Sequence, residues 1–254
     1  MTTDLGGYFV DVHKESISPV LNQLRVSIAL PNAPFSKKKV EWWQKANPDN
    51  RLLKGRAYLI AKRALDICMV GLSLPLLMPI FLIIAFLIRL ESKGPAIFKQ
   101  QRTGIDGSRF GMYKFRTMVS NAEALKEQLA HLNELQWPDF KISNDPRITR
   151  MGNLLRKTSL DELPQLINVL KGEMTFVGPR PTSFAPTTYN LWHTERLDVK
   201  PGLTGLWQLI GRASMEFDER VQLDIAYIEN RSLWLDIKIL FLTIFAVINQ
   251  RGAY

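Results

Sequence analysis

The chain has 254 residues, of which 46% are hydrophobic and 22% charged, a balance that excludes a disordered or fibrous chain and suits one sizeable domain with appendages. A net charge of +9 and a pI near 9.7 call for an anionic partner: nucleic acid, an anionic membrane surface or a phosphorylated substrate. The single cysteine, Cys68, excludes an intrachain disulfide framework, and three dispersed histidines (His13, His131, His193) make no zinc pattern.

Residues 1–60 form an N-terminal arm of mixed character. Its stretch "LPNAPFSKKKVEWWQKANPDN" places a lysine run beside Trp42 and Trp43, a pairing that suits a membrane interface and equally a solvated tail. Met1 to Tyr8 lacks a basic start, so no cleavable signal peptide is expected. The segment 61–92 is the membrane element. From Ile67 to Ile88 it carries 22 residues without a charge, enough for a bilayer that needs about 20. Pro75 and Pro79 fall inside it and each removes a helix hydrogen bond, which predicts a break or kink. Both flanks are basic, with Lys62 and Arg63 before and Arg89 and Lys93 after, so both ends are drawn to the cytoplasmic side. A re-entrant helix–break–helix and a kinked crossing both satisfy these facts. Cys68 sits in this run, and its apolar neighbours predict a buried, inert thiol.

Residues 93–254 form the remaining domain. A hairpin is predicted over 95–118, turning at Ile105–Asp106–Gly107, where Asp-Gly supplies positive φ. Strand alternation puts Phe110, Met112, Lys114 and Arg116 on one face. Two cations there suit a phosphate clamp or a solvated face. An amphipathic helix follows over 121–135, with Leu125, Leu129, Leu132 and Leu135 inward, and then a loop. The next helix covers 160–171, with Leu163, Leu166, Ile167 and Leu170 as its buried stripe, Pro164 in its first turn and Gly172 after its end. Asp161 and Glu162 therefore lie at its N-terminus, and Ser159 and Glu162 have capping-box spacing. Further on, "FVGPRP" holds Arg180 between two prolines, "VKPGLTGLWQLIGR" is a glycine-punctuated loop, and helices cover 216–229 and 233–249, the last interfacial or in the core.

The acidic pair sits among Arg147, Arg150, Arg156, Lys157, Lys171 and Arg180. Carboxylates in a first helical turn complement the macrodipole, worth about 0.3–1 kcal/mol, which accounts for the pair but leaves the cations unexplained. A helix N-terminus ringed by cations gathers phosphates. An ionised Asp there can attack phosphorus, and a neighbouring Glu can hold Mg²⁺. No phosphate loop, nucleophile elbow or dinucleotide fingerprint competes with this reading.

In order, "KRALDI", "GPAIFKQQRTG", "YKFRTM", "DPRITRMGNLLRKTSLDELPQLINVLKGEMTFVGPRP", "KPGLTGLWQLIGR" and "LDIAYIENRSLWLDIKILFLT" resemble the bacterial sugar transferases, the monotopic polyprenyl-phosphate phosphoglycosyltransferases. The resemblance covers roughly Lys62 to Asn249. It implies an α+β, mainly helical fold: a re-entrant membrane helix, a small catalytic domain with a short β-hairpin, and interfacial amphipathic helices. It implies transfer of a sugar phosphate from a UDP-sugar to polyprenyl (undecaprenyl) phosphate, with UMP released, at the cytoplasmic face of the bacterial inner membrane. Mg²⁺ is the implied cofactor and membrane lipids are implied partners. This is the first membrane step of exopolysaccharide, capsule or O-antigen synthesis.

By the resemblance Asp161 is the nucleophile and Glu162 the Mg²⁺ ligand, while Lys114, Arg180 and Asp236 match other active-site positions; Arg116 and Arg156 join them on charge and proximity in sequence. The family breaks its membrane helix at Ser-Pro, where this chain has Met78-Pro79, with Pro75 four residues earlier. Some relatives carry more membrane helices and a further domain upstream, an extension expected to be absent here. No nucleic-acid partner is expected. The sugar and the oligomeric state stay open, a homo-oligomer included. The competing reading is a non-enzymatic basic scaffold or lipid-binding protein at the membrane surface.

Overall fold

The computed structural model describes residues 53–134, 142–210 and 215–248. The arm up to residue 52, Leu135 and most of the loop after it, and residues 211–214 lie outside the described residues. The rest is mainly helical with two small sheets. In chain order it comprises α1 (Gly55–Glu91), β1 (Ile97–Thr103), β2 (Arg109–Phe115), α2 (Ala122–Gln128), α3 (Arg150–Lys157), a 3₁₀ turn (Leu160–Gln165) and α4 (Leu166–Lys171). There follow β3 (Thr175–Val177), β4 (Gly202–Thr204), α5 (Leu206–Ile210), α6 (Phe217–Asn230) and α7 (Leu233–Ile248).

Helix α1 is long and apolar enough to cross a membrane. It runs unbroken through Pro75 and Pro79, so the expected division into two helices at those residues is not seen. Two prolines four residues apart remove two hydrogen bonds, those to Gly71 and Pro75, and leave the rest of the ladder in place. Cys68 is exposed on α1 and not buried as its neighbours suggest. An apolar run marks a core only when water is the surroundings, and Leu72, Leu76, Leu82 and Phe86 are exposed on the same helix.

Both ends of α1 are tied to the same domain. Before the apolar run, Lys62 bonds Asp236 of α7 at 2.7 Å and Arg63 bonds the carbonyls of Val169 and Leu170 at the end of α4. One turn on, buried Asp66 accepts from Thr175 Oγ1 and Phe176 N of β3. The three polar side chains of "KRALDI" are thus docking contacts. At the far end Glu91 accepts from the N–H groups of Arg150 and Met151, where α3 begins and its dipole favours an anion.

Between these ends α1 supports two apolar clusters. Val70 joins Phe110, Met112, Leu166, Val169 and Met174, and Ile84 and Ile88 join Phe115 and Leu155. Strand β2 contributes to both, because Phe115 at its end meets Phe81 of α1 with ring centroids 5.3 Å apart. The hairpin has the expected antiparallel register, with Asp106 and Gly107 at positive φ in its turn. Strands β3 and β4 pair in parallel, and Gly178 and Gly202 allow their backbones to meet: a Cβ on Gly202 would lie 2.1 Å from the Gly178 nitrogen. Helix α7 buries Leu235, Asp236 and Ile239 and exposes Trp234, Ile237, Phe241 and Ile244, so it is docked on one face and apolar on the other.

Candidate active site

The acidic pair sits on a 3₁₀ turn rather than on the first turn of an α-helix. Ser159 before it is left-handed, at φ 57°, and its side chain makes no cap. The capping box expected between Ser159 and Glu162 does not form, which frees the Glu162 side chain for other partners. The buried stripe shifts as well. Gln165, Leu166, Asn168 and Val169 are buried, while Leu170 is 41% exposed. A 3₁₀ turn advances about 120° per residue against 100° for an α-helix, so six residues rotate the face by about a third of a turn.

Glu162 is held by two cations. Lys114 Nζ lies 2.9 Å from its Oε1, and the Arg180 guanidinium bonds both carboxylate oxygens. Burial alone would raise its pKa, but Arg180 and Lys114 overcome burial and hold Glu162 well below the usual carboxylate range. Asp161 differs. Its nearest recorded cation is Lys114 Nζ at 3.8 Å, and no described residue donates a hydrogen bond to its carboxylate. Burial pushes Asp161 up, aided by Glu162 and opposed by Lys114, Arg156 and Arg180. Two adjacent carboxylates thus have opposite characters: one locked by charge-assisted bonds, the other desolvated with its oxygens free.

Three elements deliver the cations. Lys114 comes from β2, between the two apolar clusters. Arg156 comes from α3, whose Nε donates to Thr117 Oγ1 at 3.0 Å; α3 reaches this position because Gly152 has no Cβ, which would overlap the Thr117 carbonyl at 2.0 Å. Arg180 follows the β3–β4 crossing. Its carbonyl accepts from Arg196 at 2.7 Å, and Arg196 in turn pairs with Asp224 at 2.6 Å. Burial pushes Asp224 up to about 6 against the pull of Arg196.

Asp161, Glu162, Lys114 and Arg180 therefore converge, and Arg156 is close enough for its charge to act on Asp161. Arg116 does not join them. Strand β2 ends at Phe115, alternation ends with it, and the Arg116 guanidinium instead bonds the Ser92 and Lys93 carbonyls at the end of α1. Asp236 belongs to a separate buried group, accepting from Tyr58, Lys62 and Tyr227, with no bond to Asp161 or Glu162. Pro75 and Pro79 lie inside α1, among its exposed leucines Leu72, Leu76 and Leu82. Sequence reasoning missed the Arg196–Asp224 pair and Arg102. Asp224 had a legible signal, since it shares the buried face of α6 with Val221 and Tyr227 at three-residue spacing, where a carboxylate needs a partner.

Among the described residues no group of three or more His, Cys, Asp or Glu side chains forms a metal cage. Mg²⁺ commonly takes only one or two carboxylates, with phosphate oxygens and water completing its shell. Asp161 and Glu162 fit that donor set, provided Glu162 shares its oxygens with Lys114 and Arg180.

Comparison with known proteins gives the family. The family model described as bacterial sugar transferase matches residues 57–250. The chain is 47% identical over 201 residues to the galactosyl transferase CpsE of Streptococcus agalactiae, covering 78% of this chain and 44% of that protein. It is 46% identical over 210 residues to the undecaprenyl-phosphate galactose phosphotransferase of Salmonella typhimurium, covering 81% and 44%. It is 40% identical over 200 residues to the exopolysaccharide production protein ExoY of Rhizobium meliloti, covering 77% and 88%. The chain thus spans less than half the length of the first two and most of the third. With the family matched over most of its length, the chain belongs to the bacterial sugar transferases.

Proposed function

We propose that the chain transfers a sugar phosphate from a UDP-sugar to undecaprenyl phosphate through a covalent intermediate on Asp161. The observation that carries this reading is the contrast within the acidic pair: a desolvated carboxylate without hydrogen-bond donors beside one held by Lys114 and Arg180. An Asp161 oxygen attacks the phosphorus that bears the sugar. The bond from that phosphorus to the bridging oxygen breaks, and UMP leaves with the oxygen and its electron pair. A phosphate oxygen of undecaprenyl phosphate then attacks the same phosphorus, and the Asp161 carboxylate departs. The product is undecaprenyl-diphosphate sugar.

In each step Lys114, Arg156 and Arg180 neutralise charge at the phosphoryl group, and the glycine-tight β3–β4 crossing fixes the place from which Arg180 acts. Glu162, with Asp161 beside it, would hold Mg²⁺, which when bound supplies further charge neutralisation at the diphosphate. Relatives named as galactose and glucose phosphotransferases to undecaprenyl phosphate support the reaction class. Purified chain in nanodiscs should release UMP when given undecaprenyl phosphate and one member of a UDP-sugar panel, and EDTA should suppress the release. No UMP with any sugar would return the chain to the reading of a basic membrane-surface scaffold.

The membrane reading is that both ends of α1 stay on the same face. Both of its ends carry polar contacts to one domain, Lys62 and Asp66 at one end and Glu91 at the other, and that domain cannot lie on two sides at once. The exposed apolar face of α7 would rest in the same interface. Single-cysteine variants K54C and K126C, built without Cys68, should react with an impermeant maleimide from the cytoplasmic side only. Labelling from opposite sides would mean a true crossing.

A further inference from the structure

We infer that Arg102 holds the phosphate that leaves with the nucleoside, at the far end of the cation row from Asp161. The inference rests on the proposed transfer and assigns a residue that sequence reasoning passed over.

Arg102 and Lys114 share one face of the hairpin. In the antiparallel register Lys114 opposes Phe98 and Arg102 opposes Phe110, so Phe98, Gln100 and Arg102 of β1 point the same way as Lys114, Met112 and Phe110 of β2. The two cations are four residues apart along the strand, about 13 Å. Lys114 stands at Asp161 and Glu162. Arg180 bonds Glu162, and the residue after Arg180, Pro181, offers its carbonyl to Arg102 Nη1 at 3.5 Å. The order along the face is therefore Asp161 with Lys114, then Glu162, then Arg180, then Arg102.

The Arg102 guanidinium is poorly satisfied for its burial. Nη2 bonds Gln100 Oε1 at 2.6 Å, Nη1 makes only the long contact to Pro181, and Nε is buried with no partner. Leaving such a donor unmade is expensive. Burial, and next the like charge of Arg180, push its pKa down to about 10, while Glu162 acts in the other direction. Four cations, Lys114, Arg156, Arg180 and Arg102, thus face two carboxylates, and Glu162 is already shared by Lys114 and Arg180. The excess positive charge lies at the Arg102 end. A diphosphate supplies the missing charge in the matching order: the sugar-bearing phosphate toward Asp161, the nucleoside-bearing phosphate toward Arg102. Arg102 would then stabilise the charge that builds on the departing UMP, a planar fork against phosphate oxygens.

The test compares wild type with R102Q and R102K. R102Q should raise the KM for the UDP-sugar and weaken inhibition by UMP, each about tenfold or more, and R102K should recover part of both. In-line attack brings the phosphate of undecaprenyl phosphate to the place that UMP left, opposite the Asp161 oxygen, so the second half-reaction, from preformed phosphosugar enzyme to undecaprenyl phosphate, should slow as well. If R102Q loses its thermal transition, R102K against wild type carries the same comparison. Unchanged KM and UMP inhibition in the folded variants would overturn the assignment. Wild-type enzyme that released no UMP would instead sink the proposed transfer itself.

Discussion

Asp161→Asn should abolish turnover and make the protein more stable. The first half follows from chemistry: an amide oxygen in place of the carboxylate cannot form the phosphosugar ester. UMP release should fall at least about 10³-fold, on the scale of other lost nucleophiles. The adduct that intact mass detects on wild type, heavier by one sugar phosphate, should be missing. The second half follows from burial. Asp161 is 9% exposed, and burial raises its pKa above that of a free aspartate. A carboxyl so raised contributes stability below its unfolded value, and the fold loses that contribution as pH rises through the raised folded value. Ionising Asp161 therefore costs the native state more than the unfolded chain. Asparagine has nearly the same shape and no charge, so D161N should melt higher, by about 2–4 °C for each kcal/mol relieved. The gap should close as pH falls below Asp161's folded value. Wild-type UMP release by D161N would end the nucleophile assignment. A lower melting temperature at neutral pH would show that Lys114 and Arg156 attract the Asp161 charge more than burial opposes it.

That stability and activity should pull apart at this residue reflects how the site is built. Much of its convergence is legible in the sequence because it depends on local rules. Alternation along β2 brings Lys114 to the face that meets the acidic turn, Asp106–Gly107 fixes the hairpin register, and the two prolines around Arg180 limit its backbone. The misses arise where a local rule stops short. Arg116 lies one residue past the end of β2, where alternation no longer applies, and the open carbonyls at the end of α1 take it. The Ser159 cap fails because the chain turns left-handed there, and no side-chain pattern announces that. Hydrophobicity places Leu170 and Cys68 inward, but it cannot tell a core from a lipid-facing surface, and both are exposed. Asp236 is held by contacts of another kind. The resemblance brings it to the site, yet its partners come from α1, about 175 residues earlier in the chain, and from α6. Contacts at that range have no period or spacing for a sequence to display.

Glu162→Gln should do the reverse of the neighbouring change: lose stability and activity together. Removing this charge leaves Lys114 and Arg180 facing each other with Arg102 close by, and nothing but Asp161 to offset them. Breaking a fully buried pair costs about 3–5 kcal/mol. Here the Arg180 side chain is 32% exposed, so water screens part of the repulsion and a loss of about 2–3 kcal/mol is expected. That corresponds to a melting temperature lower by about 5–10 °C. The acid dependence also runs opposite to that of D161N. Arg180 and Lys114 outweigh burial and hold Glu162 well below the usual range, so its contribution is complete above the unfolded value near 4.3 and fades as pH falls toward its lowered folded value. Wild type and E162Q should therefore differ most at neutral pH and converge in acid. Thermal melts of wild type, D161N and E162Q across pH 3–8 put both signs in one experiment. An E162Q protein as stable as wild type at pH 7 would mean that the three cations are content without their anion. The site would then be arranged around the acidic turn by the backbone alone, through the left-handed Ser159 and the β3–β4 crossing, with Glu162 free to serve the metal.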